Sequence, residues 1–351
     1  MTGTMYLRFF KVNVSVESAN SDFLEFLAGY FSTQVGEGNK PDCQIRIIFK
    51  NVSKTEYDEL LMESERNYAI RLSRSIFCEN TVVFLTDLQQ FPGLLLKFKI
   101  EKDWLEVSGY YCSPERILSK LLKNKNQKLK LYLYLKYYLI LFPLIWYYEH
   151  FLNKYLLHAS ALLYKDQSIL FSGLGGVGKS TLVISLLNNP GFQFISDNLI
   201  LYGDDEVIGI REAIALDEKS LKLSSNTESL LSSLNLDMSH SRKYYHVKNT
   251  VTSGGRAKKI FFLKFNKITR VLEIKKTQAR EKIELINSIA KEVIAYRSMA
   301  SSLNLSLGIK YSTIREAFID KLIQNAAFYE LDIKPGENLT KIHSMLQDIP
   351  L

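Results

Sequence analysis

The sequence predicts an α/β fold, and three observations carry that prediction. An apolar run, Ile169-Leu170-Phe171, opens into a glycine-rich loop, and apolar residues at helical spacing follow at once (Leu182 with Leu186, Val183 with Leu187). Up to residue 112 the chain alternates apolar and polar positions in short runs, broken by Gly, Asn, Asp and Pro, as strands joined by turns do. From Gln278 onward apolar residues recur at i, i+3 and i+4, as in IAKEVIAYRSM and IREAFIDKLIQNA, which is helical spacing.

Composition sets the outer bounds. The 351 residues are 46% hydrophobic and 12% aromatic, ample for a packed core in two domains or one large one. A formal charge of +8 suits an anionic ligand, but no nucleic-acid-reading motif accompanies it, so no nucleic-acid partner is expected. Cys43, Cys78 and Cys112 are odd in number and widely spaced, with no histidine at metal-ligand spacing, and read as buried thiols in a reducing compartment. The opening MTGTMYLRFFKVNV lacks the long apolar stretch of a signal peptide, and a cytoplasmic location is the expectation.

Residues 1–112 read as a small α+β domain. LRFFKVNVSV, CQIRIIFKNV, YAIRLSRSIF, TVVFLTD, LLLKFKI and WLEVSGYYC are its strands, and SDFLEFLAGYF, capped at Ser21 or Asp22, its helix. Residues 113–155 read as a basic and apolar helical connector. Ser113-Pro114-Glu115-Arg116 starts a helix, and the basic residues from Arg116 to Lys130 form a solvated face or a dock for an acidic peptide or a membrane surface. The apolar residues 131–151 resemble a membrane span, yet only twelve lie between Lys136 and Glu149, and Pro143 is among them. They are expected to form a buried helix, kinked at Pro143 and packed on the nucleotide domain, with no stable membrane insertion. Residues 156–351 complete the chain as a nucleotide-binding domain with a helical C-terminal part.

The chemistry concentrates in that last domain. Gly173, Gly178, Lys179 and Ser180 fill G-x-x-x-x-G-K-[ST], with Gly175, Gly176, Val177 and Thr181 completing GLGGVGKST. Triphosphate oxygens must be approached by backbone N–H groups, which glycine permits, and the following helix N-terminus favours anions. Lys179 adds a point charge, and Ser180 can ligate Mg²⁺, so ATP and Mg²⁺ are the expected cofactors. In LLHASALL, His158 interrupts a strand, and the turn YKDQ folds that strand back beside the phosphate strand. A second strand, FQFIS, ends in Asp197-Asn198, where an acid would face the phosphates, either to hold Mg²⁺ through water or to orient and deprotonate a hydroxyl. Asp204 and Asp205 are turn residues of the hairpin that follows. The serine-rich stretch after it, SLKLSSNTESLLSSLNLDMSHS, reads as a mobile loop or helical hairpin over the site. Lys243 and Arg256 are the candidates, among several basic residues, for stabilising the transferred phosphate.

The three motifs LHASALL, GLGGVGKST and FISDN, within residues 150 to 265, resemble the HPr kinase-like P-loop family. The resemblance implies a nucleotide domain related to the phosphoenolpyruvate carboxykinase core and phosphorylation of a serine hydroxyl with ATP and Mg²⁺. It implies that Asp197 is the base, that His158 sits at the γ-phosphate, and that Ser180 and Asn198 hold the metal. Asn198 stands where the family has a second Asp, and it keeps one acceptor oxygen. No counterpart appears of the glycine-rich segment associated with phosphorolytic reversal. The layout is similar to the stand-alone members found in peptide-modification clusters, including lasso-peptide precursor kinases, in which Lys243 matches a recurrent basic position. A peptide or small protein with an acceptor serine is the partner so implied, with room for a homo-oligomer. A small-metabolite kinase and a non-transferring NTP-dependent switch remain the alternatives.

Overall fold

Inward-facing valines and isoleucines spaced two apart, such as Val12, Val14 and Val16 or Ile45 and Ile47, are fully buried and set one sheet face against a core. The computed structural model describes residues 2–31, 42–66, 70–72, 75–78, 81–88, 91–113, 124–223, 227–234, 242–308, 311–347 and 349. The described chain is mixed α/β. It divides into two units, one of Met1–Phe151 with Tyr296–Tyr311, the other of Leu152–Ala295 with Ser312–Leu351.

The first unit holds an eight-stranded sheet. Its strands are β1 (Gly3–Phe9), β2 (Val12–Ser18), β3 (Ile45–Asn51), β4 (Ile70–Leu72), β5 (Ser75–Cys78), β6 (Thr81–Leu88), β7 (Phe91–Ile100) and β8 (Leu105–Tyr111), in the order β1-β2-β3-β8-β7-β6-β5-β4. LRFFKVNVSV is therefore two strands rather than one, because Lys11 adopts φ of 57° and turns the chain back. YAIRLSRSIF likewise divides into the antiparallel pair β4 and β5. Strand β3 runs parallel to β2, which demands a crossover, and helix α1 (Ser21–Tyr30) lies between them in sequence, burying Phe23, Phe26, Leu27 and Tyr30. Its cap is Asn20, one residue before Ser21 and two before Asp22, the expected caps. Helix α2 (Lys54–Arg66) was not read from the sequence: its stripe is short, Tyr57, Leu60 and Leu61, and only partly buried against Ile76, Val83 and Leu95. Cys112 is buried and Cys43 is half-buried, both as free thiols.

The expected helix start at Ser113-Pro114 and the basic stretch as far as Lys123 lie outside the described residues. Beyond them the chain is helical from Lys125 to Phe151, as α3 (Lys125–Lys136), a π-helical turn (Tyr137–Leu141) and α4 (Phe142–Phe151). The N–H of Phe142 bonds to the carbonyl of Tyr137, five residues back, so the turn is widened next to Pro143, which has no N–H to donate. This is the one helix among the described residues long and apolar enough to cross a membrane, and 72% of its most apolar window is buried inside the protein. Lys136, expected to interrupt it, is itself buried, with Nζ on the Tyr30 hydroxyl and 3.7 Å from the centre of that ring. The helix packs within the first unit: Tyr132 on Phe23 and Phe26, Phe142 on Tyr296, and Trp146 Nε1 donating to Asn304.

The second unit carries β9 (Tyr155–Leu157), β10 (Ala159–Tyr164), β11 (Gln167–Ser172), α5 (Lys179–Leu186), β12 (Phe192–Ser196), β13 (Ile200–Gly203), β14 (Glu206–Gly209), β15 (Ile214–Asp217), α6 (Glu218–Leu223), α7 (Thr227–Leu230), β16 (Leu231–Ser233), β17 (Arg242–Val247), β18 (Ser253–Gly254), β19 (Ala257–Phe265), β20 (Arg270–Glu273) and α8 (Lys276–Ile289). Helix α9 (Lys291–Ser306) leaves this unit at Ala295, and α10 (Tyr311–Asn325), β21 (Ala327–Ile333) and α11 (Leu339–Gln347) follow.

A six-stranded sheet, β12-β10-β11-β19-β21-β20, is its centre, beside smaller sheets β18-β14-β13-β9 and β15-β17-β16. Strands β11, β19 and β21 are parallel, β10 is antiparallel to both β11 and β12, and so β12 points the same way as β11. Strand β21 corrects the expectation of a wholly helical C-terminal part, since AFYELDI inserts between β19 and β20. Both faces of the sheet are covered, which explains its continuous apolar runs: Leu170 and Phe262 face Ile283, Phe318 and Leu322, while Ile169, Phe171 and Phe261 face Leu182, Val183 and Leu186.

Candidate functional site

The strand directions decide what meets. The glycine loop leaves the carboxyl end of β11, Asp197 leaves the carboxyl end of β12, and His158 precedes β10, whose first residue pairs with the last of β11 (Ala159 with Ser172). Three separate segments thus arrive at one end of the sheet. His158 lies at a break between β9 and β10, which belong to different sheets, so LLHASALL is not one continuous strand.

The loop itself is open. Gly176 and Gly178 adopt φ of 83° and 91°, left-handed conformations that β-carbons disfavour, and an ideal Cβ on Gly175, Gly176 or Gly178 would meet nothing within 4 Å. Gly173 is the opposite case: there a Cβ would lie 2.7 Å from the Leu263 carbonyl oxygen, so the loop can leave the sheet only through glycine. Val177 buries its side chain and offers only backbone. Gly178 caps α5, and Thr181 turns its hydroxyl to Ser220 of α6 at 2.8 Å.

Lys179 is buried, with Nζ donating to the carbonyls of Gly173 at 2.8 Å and Leu174 at 3.2 Å, and 3.2 Å from His158 Nε2. Burial lowers its pKa, against the opposing fields of Asp197 and Glu292. Burial, and after it the charge of Lys179, pulls His158 down to about 3, so its imidazole is neutral. The ring is held through its backbone: the His158 N–H donates to Asn287 Oδ1 at 2.9 Å, and its carbonyl accepts from Ser172 Oγ at 2.9 Å. Asp197 is held through its side chain, accepting from Ser180 Oγ at 2.6 Å on one oxygen and from Ser160 Oγ on the other. Asn198, next in line, adopts φ of 71°, a conformation asparagine tolerates better than most residues.

The two basic candidates part company. Lys243 on β17 is exposed and pairs across the sheet with Leu216, one residue from Asp217, whose carboxylate accepts from the Ser220 N–H at 2.7 Å. Ser220 touches Thr181, so the β15–β17 pair that carries Lys243 is linked to the first turn of α5 through Asp217 and Ser220. Arg256 precedes β19, its carbonyl accepts from the Ser168 N–H at the start of β11, and its guanidinium pairs with Asp205 at 3.3 Å. That is the far end of the strand from the glycine loop. The helical or loop character of the serine-rich stretch is described only in part, as α6, α7 and β16; residues 224–226 and 235–241 lie outside the described residues.

Sequence reading missed Ser160, Asn287 and Glu292. Ser160 carried a signal, because a hydroxyl fully buried in an apolar strand needs a partner, here Asp197. Asn287 is a buried amide on the inner face of α8, brought to His158 only by the fold. The arrangement is a buried cation and a hydroxyl-braced carboxylate beside an open cradle of backbone N–H groups, suited to holding an anion and orienting a nucleophile.

No family model matches the chain, and no curated protein matches it. Among solved structures it is similar to the Hpr(Ser) kinase/phosphatase from Coxiella burnetii, at 15% identity and a TM-score of 0.26, over 55% of this chain and 88% of that one.

Proposed function

We propose that the chain is an ATP-dependent phosphotransferase of HPr kinase-like type that moves the γ-phosphate to a serine hydroxyl of a peptide or small protein. One observation carries this reading: Asp197, braced by Ser160 and Ser180, stands at the mouth of the glycine loop whose lysine is already buried. The open cradle at Gly175, Gly176 and Gly178, which β-carbons would fill, fits phosphate oxygens. Ser180 and Asn198, with Asp197 beside them, offer oxygen donors of the kind Mg²⁺ prefers and would hold the ion, which would supply positive charge against the triphosphate.

In this mechanism the loop N–H groups and Lys179 hold the phosphates in line. Asp197 accepts the proton of the acceptor hydroxyl as its oxygen bonds to the γ-phosphorus and the bond to the β-phosphate bridging oxygen breaks, releasing ADP. His158, neutral at physiological pH, packs against Lys179 without adding charge. Lys243 is the basic candidate kept for the transferred group, because Arg256 lies at the opposite end of β11 from the glycine loop. A ribosomally made, lasso-type precursor peptide in the cytoplasm is the acceptor class that the sequence resemblance favours.

The test is mass spectrometry of candidate peptides incubated with the protein and Mg²⁺-ATP. Wild type is expected to add one phosphate at a serine, and Lys179→Ala to add none. Asp197→Asn is expected to lower the rate by about 10²-fold or more while still binding ATP. Transfer by Asp197→Asn at the wild-type rate removes the base assignment. Tight ATP binding with phosphate found only on a small metabolite, or on nothing, points instead to the two alternatives.

A further inference from the structure

The residues after β14 run alongside the end of β12. An ideal Cβ on Gly209 would lie 2.1 Å from the Ile195 carbonyl oxygen, so only glycine allows that approach, and Ser196 Oγ donates to the Ile210 carbonyl at 2.9 Å. Through these two contacts both chains advance in the same direction. The next residue on each, Arg211 and Asp197, are therefore level at the end of the sheet where the glycine loop emerges. Further on, the same segment becomes β15 and reaches Asp217, which binds Ser220, which touches Thr181 of α5.

Arg211 stands apart from the other arginines of this unit whose side chains are described. Arg256, Arg270 and Arg280 pair with Asp205, Asp332 and Asp320. Arg211 is half-buried, its Nε is fully enclosed with no hydrogen-bond partner, and no ion pair joins it among the described residues. Burial lowers the pKa of its guanidinium. A cation desolvated without a partner lowers the stability of the folded chain, and it is matched only when an anion arrives.

We propose that Arg211 binds the phosphoryl group handled at this site, either as the terminal phosphate of ATP or as the same group after transfer. This rests on the phosphotransferase reading. A guanidinium offers a planar fork of donors that fits phosphoryl oxygens, and its place level with Asp197 sets it at the end of the sheet where the glycine loop emerges. Among the basic residues singled out in the sequence, Arg211 was not one, because nothing in GIREA distinguishes it from a surface arginine.

The experiment compares wild type, Arg211→Gln, Arg211→Lys and Lys179→Ala as full chains by calorimetric titration with Mg²⁺-ATP, Mg²⁺-ADP, and inorganic phosphate added to the ADP complex. For contact with ATP, Arg211→Gln is expected to reduce the preference for ATP over ADP by at least about tenfold, with partial recovery in Arg211→Lys. For contact after transfer, that preference stays and phosphate binding to the ADP complex is lost. In either case the melting temperature of the ligand-free Arg211→Gln protein does not fall, since a half-buried cation whose enclosed Nε has no partner has been removed, whereas a structural arginine would lower it. Wild-type ATP preference and wild-type phosphate binding in Arg211→Gln, alongside lost ATP binding in Lys179→Ala, overturn the assignment of Arg211 and leave the loop intact. A lower melting temperature with ATP and ADP weakened alike also overturns it, and wild-type protein that binds no ATP removes both readings.

Discussion

At His158 a buried imidazole, the loop lysine and an amide from α8 meet, and the pH dependence of folding follows from that meeting. Its folded pKa of about 3 lies below the ordinary 6.5, so between those values the unfolded chain binds a proton that the native chain refuses. The sign is fixed: stability is complete above pH 6.5 and falls as pH drops toward 3, by ~1.4 kcal/mol per unit. Between pH 7 and 5 wild type is expected to lose about 2 kcal/mol more than His158→Gln, measured by urea unfolding at each pH. Equal losses in the two proteins would show that His158 is not buried neutral. At this scale the glycine loop was legible because its residues are contiguous, and Asp197 because it ends a recognisable strand. Arg256 was misplaced for a simple geometric reason. A residue that precedes a strand parallel to β11 lies at the amino end of the sheet, while the phosphates bind at the carboxyl end. Asn287 is far from the loop in sequence, and only the packing of α8 brings its side chain to the His158 N–H.

Elements were legible where burial imposes a period and obscure where it does not. Helix α1 announces itself through Phe23, Phe26, Leu27 and Tyr30, whereas α2 offers only Tyr57, Leu60 and Leu61, partly buried among charged residues. Strand β21 hid among helices because AFYELDI is neither strictly alternating nor helical in spacing, and its place is fixed by parallel pairing with β19 rather than by its own composition. The widened turn before Pro143 has no local signal beyond the proline itself. Caps give a sharper test of element stability. Asn20 accepts from the Phe23 N–H at 3.1 Å and from the Tyr132 hydroxyl at 3.1 Å, joining the start of α1 to α3. Asn20→Ala is expected to cost about 1–2 kcal/mol in chemical denaturation, with Asn20→Ser recovering part by restoring the cap without the tyrosine's acceptor. A loss in Asn20→Ala well below 0.5 kcal/mol, taken as an order-of-magnitude threshold, would mean that the cap adds little.

For the whole molecule, the decisive fact is that each unit carries its own sheet and its own buried core. Helical spacing shows that residues 296–306 lie on a helix but not which core they join, and they group with residues 1–151. Every residue of the candidate site lies in the other unit, within Leu152–Ala295. Both tryptophans, Trp104 and Trp146, lie in the first unit, so tryptophan fluorescence follows that unit while far-ultraviolet circular dichroism follows both. A ligand that binds only folded protein stabilises what it binds, by about 2.7 kcal/mol at a hundredfold excess over its dissociation constant. Saturating Mg²⁺-ATP is therefore expected to raise part of the dichroism-monitored melt by on the order of 5–10 °C. The fluorescence-monitored melt is expected to stay within about a degree of its ligand-free value, and Lys179→Ala to abolish the shift seen by dichroism. Fluorescence and dichroism rising together by the same amount would show instead that the two cores melt as one cooperative body, since a ligand held by one unit can stabilise the other only through the free energy that couples them.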